Sequence, residues 1–169
     1  SKGLYHAIGR GASFSKHPIN WQGNELPSQK IIAITIISKT VAFTLLPNTI
    51  VFSNLLTIFS LSSYFDFGFL QSSVHTVYAW QHCSKMKSDL RYCPADAFET
   101  FPFPEFSDAM KIDFSNLAEN FYFGREHVMR QERIGLTKFY KKYHNPEIQE
   151  AKINELRQLQ KQIDEAVRD

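Results

Sequence analysis

With 169 residues, 43% of them hydrophobic and 21% charged, the chain has a globular composition and enough length for one domain with a real core. Its net charge is only +2, so bulk charge does not announce a polyanion partner, and any such function must rest on how the charge is distributed. Two cysteines are too few for a disulfide framework and suit a reducing cytoplasm, and no charge-free apolar run reaches the roughly 18–20 residues of a membrane span. The chain opens Ser1-Lys2-Gly3, with neither a signal peptide nor an initiator methionine, and is expected to be a piece of something larger.

Residues 4–8 read as a short helical turn. Residues 9–29 hold Gly9, Gly11, Pro18, Gly23 and Pro27 among polar residues and read as a long loop or insertion, with Trp21 as the side chain to pin it. The run 30–38 is almost continuously β-branched, which predicts a strand buried on both faces. A turn at Ser38-Lys39-Thr40, a second strand over 41–46, a turn at Pro47-Asn48 and a third strand over 50–60 complete an antiparallel meander. The period then changes. Phe67, Leu70, Val74 and Val77 fall on one face of a helix over 63–82, capped by Ser62 or Ser63.

Residues 84–104 carry two kinds of physics. Lys85, Lys87 and Arg91 stand against the single acid Asp89, and 90–92 can return to the sheet. Beyond Pro94, Phe98, Phe101 and Phe103 alternate with Pro102 and Pro104. Proline fixes φ and lacks an amide donor, so Phe-Pro-Phe-Pro reads as an extended strap whose rings plug into a neighbouring layer. A basic loop is thus tied down by an aromatic anchor. In an extended segment Lys85 and Lys87 project the same way, suited to phosphates, while Arg91 beside Tyr92 is better restrained and suited to a guanine edge. The competing readings are solvated lysines and an Arg91 bonded to Asp89 or Asp96.

The last third is helical. Leu117, Phe121, Gly124 and Val128 share a face, Asn116 and Glu119 resemble a capping box, and Gly135 fits a helix stop. A short helix carries Leu136, Phe139, Tyr140 and Tyr143. Asn145-Pro146-Glu147 reads as the start of a final helix over 146–168, whose narrow stripe of Leu156, Leu159, Ile163 and Val167 predicts packing on one partner helix. Between Arg125 and Lys142 six basic residues face two acids, Glu126 and Glu132. That segment is either a phosphate-binding face, through Arg125, Arg130 and Arg133, or a solvated one.

Catalytic chemistry is poorly represented. His75, His82, Cys83 and Cys93 lack the close pairing of a zinc site, nothing marks an activated thiol, and no glycine-rich phosphate loop occurs. Three separated strings shift the reading: F-L-Q-S-S-V-H-T-V-Y-A-W (69–80), D-L-R-Y-C-P-A-D-A-F-E-T-F-P-F-P (89–104) and G-L-T-K-F-Y-K-K-Y-H-N-P-E (135–147). Together with 38–53 and 156–167, in the same order, they resemble the C-terminal target-recognition region of bacterial adenine-specific DNA methyltransferases of restriction–modification systems, in particular the large single-chain, type IIG-like enzymes. Cys93 stands where that family carries a hydroxyl residue and Ala95 where it often carries Ser, and the Asn-Pro-Pro-Tyr-type motif and S-adenosylmethionine loop are absent.

The strand and helix patterns predict an α+β domain: a small, mostly antiparallel sheet with a packed helix over 1–106, then a helical C-terminal arm over 107–169, and the resemblance implies a target-recognition domain. It implies sequence-specific binding of duplex DNA for a methyltransferase domain of the same parent chain. That parent would use S-adenosylmethionine, with or without a fused endonuclease, while this segment holds no cofactor, metal or catalytic residue. The expected DNA contacts are Lys39, Lys85, Lys87, Arg91 and Tyr92, with Arg125, Arg130 and Arg133 as further phosphate contacts. The rival reading is a protein-interaction module that docks on the methyltransferase or a partner subunit.

Overall fold

In the computed structural model, residues 7–10, 30–50 and 52–168 are described. The expected pin Trp21 and most of the predicted 9–29 loop lie outside them. Strand β1 (Ala7–Arg10) is extended, so the helical turn expected at 4–8 gives way to a strand where the two overlap. Strand β2 (Lys30–Thr35) is the centre of a four-stranded antiparallel sheet, paired on one side with β4 (Thr44–Pro47) and on the other with β5 (Leu56–Phe59), whose far edge takes β1. Because β2 lies between β4 and β5, the three strands are not the expected meander. Residues Ile31 to Ile34 are buried on both faces, as the β-branched run requires: Ile31 packs with Phe52 and Ile58, while Ile32 and Ile34 join the main core.

The predicted strand over 30–38 does not run straight through. It breaks after Thr35, and Ile37–Ser38 forms β3 of a second, three-stranded antiparallel sheet with β6 (Lys85–Met86) and β7 (Asp89–Arg91), in the order β3-β7-β6. The Ile36 carbonyl accepts the Tyr92 amide at 2.7 Å and the Ile36 amide donates to the Leu55 carbonyl at 2.8 Å, so both of its peptide groups are satisfied where the chain changes sheets. Lys39 therefore sits on the long link from β3 to β4 and not at a tight hairpin tip.

The helix expected over 63–82 is two helices, α1 (Tyr64–Gln71) and α2 (Ser73–His82), broken at Ser72. Ser63 caps α1 by accepting the Asp66 amide, as expected, and Ser72 caps α2 by accepting the His75 amide at 3.0 Å while its hydroxyl donates to the Phe69 carbonyl. After the short α3 (Pro94–Ala97) and the Phe/Pro strap comes α4 (Asp108–Glu132), capped by Ser107. Asn116 is thus inside a helix, and the stop is Arg133 in the left-handed region at φ 53°, not Gly135, which caps α5 (Leu136–Tyr143). Asn145 makes a side-chain turn onto the Glu147 amide, and α6 (Ala151–Arg168) starts several residues later than the proline suggests.

One main core runs through sheet and helices without a break at residue 106. Phe43, Phe59, Phe67 and Phe98 join Phe114, Phe121, Phe139, Leu156 and Ile163 in it. Gly68 makes this possible: a Cβ there would lie 2.7 Å from the Phe114 ring and 2.8 Å from the Ala118 methyl, so α1 can lie directly on α4. Helix α6 lays its stripe chiefly on α4, with further contacts to α1 and α2. Among the described residues no helix is long and apolar enough to cross a membrane.

Candidate nucleic-acid interface

Strands β6 and β7 form a hairpin whose register, Lys85 with Leu90 and Met86 with Asp89, leaves Lys87-Ser88 as a two-residue turn. Such turns need positive φ, and Lys87 adopts it at 58° without being glycine. The backbone therefore reverses at Lys87, and Lys85 and Lys87 do not project together as an extended segment would require. Lys85 shares a face with its buried partner Leu90 and reaches back to lie 5.8 Å over the Trp80 ring of α2. Lys87 is exposed at the tip.

Arg91 lies on the other face of the hairpin, and across the strand its partner is Ile37. It is exposed, and among the described residues no carboxylate forms an ion pair with it. The alternative of an Arg91 bonded to Asp89 or Asp96 is therefore not what the structure holds.

Tyr92 is a correction. It is 3% exposed, its ring meets Phe43 and Phe59 edge-on, and its hydroxyl shares a hydrogen bond of 3.0 Å with His75 Nε2, so it is an anchor under the hairpin and not a DNA contact. Burial lowers the His75 imidazole to about 3 and pushes the Tyr92 phenol well above its ordinary range, so the pair is neutral at physiological pH. His75 Nδ1 is buried with no hydrogen-bond partner among the described residues. Phe101 packs against the same imidazole at 4.8 Å, which is how the aromatic strap holds the base of the hairpin.

Arg125 is the second correction. It is 2% exposed, because α4 turns it inward. Its guanidinium donates to the Phe43 carbonyl and the Tyr140 hydroxyl, both at 2.8 Å, and to Gln71 Oε1 at 3.4 Å, between the rings of Phe67, Tyr122 and Tyr140. Gln71 in turn accepts the Phe43 amide and donates to the Val41 carbonyl. The two side chains stand in for a neighbouring strand along 41–43. Arg125 is thus committed to the core and too deeply buried to meet a phosphate.

The rest of the basic segment is neutralised only in part, for Arg133, Lys138 and Lys141 are exposed and form no ion pair among the described residues. Arg130 is exposed but paired with Glu126 at 2.8 Å, and Lys142 is held by Glu132 and by Glu150 from the approach to α6, which raises its pKa. Arg133 is exposed at the end of α4, an element packed chiefly on α1 and α6.

Lys39 is exposed and lines a cavity of about 320 Å³ together with Thr76, Trp80 and His144. Trp80 thus lies under Lys85 and shares the lining of this cavity with Lys39, remote from both in sequence. Sequence reasoning missed Trp80, although a tryptophan near the end of a helix that leads into a basic loop was a usable signal. It also missed Ile37, Leu55 and Met86, three exposed apolar side chains around Arg91. Cys83 and Cys93 are free thiols, with the Cys93 amide donating to Cys83 Sγ at 3.2 Å, and no group of three potential metal ligands occurs among the described residues.

No curated protein matches this chain. Among solved structures it is similar to one described as the type IIL restriction–modification enzyme MmeI in complex with DNA, with a TM-score of 0.65 and 15% identity. That similarity covers 89% of this chain and 19% of the other, so the chain spans about a fifth of its length and shares its local fold. A family model described as "MmeI, target recognition domain" matches residues 12–105, taking in 12–29, the greater part of the expected loop or insertion. The chain belongs to the MmeI target-recognition-domain family.

Proposed function

We propose that this domain reads the base sequence of duplex DNA for a restriction–modification enzyme and positions a target adenine for a methyltransferase domain of the same parent chain. S-adenosylmethionine is that domain's cofactor, the parent works in the cytoplasm, and it is a large single-chain enzyme of the type IIG-like kind, in which methylation and cleavage can be joined. This segment recognises and does not catalyse. The observation that carries the reading is Arg91. It is an exposed guanidinium without a carboxylate partner among the described residues, on the central strand of the small three-stranded sheet anchored by Tyr92. In the DNA major groove a restrained arginine makes paired hydrogen bonds to guanine O6 and N7. Lys39, Lys85 and Lys87, and more weakly Arg133 and Arg130, are the phosphate contacts that set its orientation.

Selection of bound duplexes from a random pool, followed by titrations at low and moderate salt, tests this. The expected result is one preferred sequence and an affinity that falls steeply as salt rises. A protein that enriches no sequence, or whose association with its partners ignores salt, would be the docking module of the rival reading.

A further inference from the structure

Ile37, Arg91, Asp89 and Met86 occupy one face of the second sheet, because Ile37 pairs with Arg91, Met86 pairs with Asp89, and positions 89 and 91 alternate to the same side. The turn before β5 brings Asn54 and Leu55 alongside, fixed by the hydrogen bond from the Ile36 amide to the Leu55 carbonyl. The result is an open cleft of about 460 Å³ with Arg91 in its wall. Ile37 is 39% exposed, Met86 47% and Leu55 65%, and none of the three belongs to either core cluster. Three large apolar side chains left in water around one charge call for an occupant.

We propose that this cleft reads the C5-methyl group of a thymine next to the guanine taken by Arg91. The proposal rests on the DNA-reading function above and deepens it. A protein surface covering the cleft would have to bring a carboxylate for Arg91 or leave a guanidinium buried without a partner. The major-groove edge of DNA supplies both needs at once: acceptors on guanine, and, on thymine alone among the four bases, a methyl group. The spacing also fits. Directly opposed strand residues stand about 4.5–5.5 Å apart and diagonal ones about 7–8 Å, while successive bases rise about 3.4 Å. Ile37, opposite Arg91 on β3, stands at the base next to the guanine, and Met86, diagonal to Arg91 on the β6 side, lines the same cleft.

The experiment uses the full-length protein and its selected duplex, with each thymine replaced in turn by deoxyuridine, which lacks only the methyl. One replacement, beside a required guanine, is expected to weaken binding about fourfold, the worth of one buried carbon. Ile37→Ser, or Met86→Ser on the edge strand if the first variant fails to fold, should erase that difference, so that the thymine and deoxyuridine duplexes bind alike. Selective binding that ignores every replacement, or a penalty that persists in both variants, overturns the cleft proposal and leaves DNA reading intact. A protein with no selective DNA binding overturns the function on which the proposal rests. Side-chain oxidation that finds Met86 protected in the full-length protein without DNA would assign the cleft to another segment or a second copy, and also overturns it.

Discussion

The hairpin over 84–92 and the helical stretch over 125–142 are both rich in cations, and each centres on one arginine, yet their environments are opposite. Arg91 projects from a ribbon that rests on a neutral Tyr92–His75 pair and has no carboxylate of its own among the described residues. Arg125 is enclosed by three aromatic rings and gives its donors to Phe43, Gln71 and Tyr140, while its neighbours Arg130 and Lys142 are paired to glutamates. The stretch with more cations therefore leaves the smaller share of them exposed and without an ion pair among the described residues. What marks a binding arginine is the absence of an internal partner, and internal partners come from elsewhere in the chain: Glu150 for Lys142, Phe43 for Arg125.

The sharpest way to break this contrast is Arg125→Ala. It strands the Phe43 carbonyl, the Tyr140 hydroxyl and one side of Gln71, and at about 1–3 kcal/mol for each buried group left unpaired the expected loss is roughly 3–5 kcal/mol. Thermal unfolding checks it, and Arg125→Lys should recover little, since an ammonium cannot hold the same fork of contacts. An Arg125→Ala protein that melts with the parent but binds all duplexes more weakly would make Arg125 a phosphate contact after all.

The anchor beneath the hairpin predicts an acid branch. His75 is held to about 3 in the folded state against an ordinary 6.5, so below about pH 6.5 the unfolded chain takes up a proton that the folded chain refuses. Stability is complete above that pH and falls by a few kcal/mol as the pH approaches 3. Denaturant melts across this range should lose that part of their pH dependence in His75→Gln.

Arg91→Ala sharpens the comparison from the other side. Its melting temperature should stay with the parent, while preference for the selected duplex over a scrambled one falls by roughly 1–3 kcal/mol. Competition binding decides it, and an intact base preference in a folded variant would remove Arg91 from the reading set.

Lys39→Ala, at the lysine that shares a cavity with Trp80, and Lys85→Ala, at the lysine over its ring, should weaken binding to every duplex about equally. Each should flatten the dependence of log affinity on log salt by about one unit. An effect confined to one sequence would mean that the Trp80 corner reads bases.

The smallest effect is expected at Lys87. Relief of left-handed strain, about 1–2 kcal/mol, is offset by the chain entropy of glycine, about 0.5–1 kcal/mol, so Lys87→Gly should leave stability level or slightly raised. Lys87→Val, β-branched at φ 58°, should be clearly destabilising by the same melt.

What the sequence determined by itself was local. An almost continuous β-branched run predicted a strand over 30–38 buried on both faces, and Ile31 to Ile34 are so buried, because side chains of that shape suit a pleated layer. The three-and-four spacing of Phe67, Leu70 and Leu156, Ile163 put those residues in the core, and the Phe-Pro alternation predicted a strap whose rings would be buried. Long identifying strings around Leu90 to Pro104 pointed to the family. Tertiary structure alone decided where strands find their partners, so the order of β4, β2 and β5 and the move of Ile37 into a second sheet were not legible: pairing depends on contacts remote in sequence. It also decided which cation is free. A charge reads the same in a sequence whether it faces water, a glutamate or a cage of rings, and the energy that separates these cases comes from burial and from partners that only the folded chain brings near.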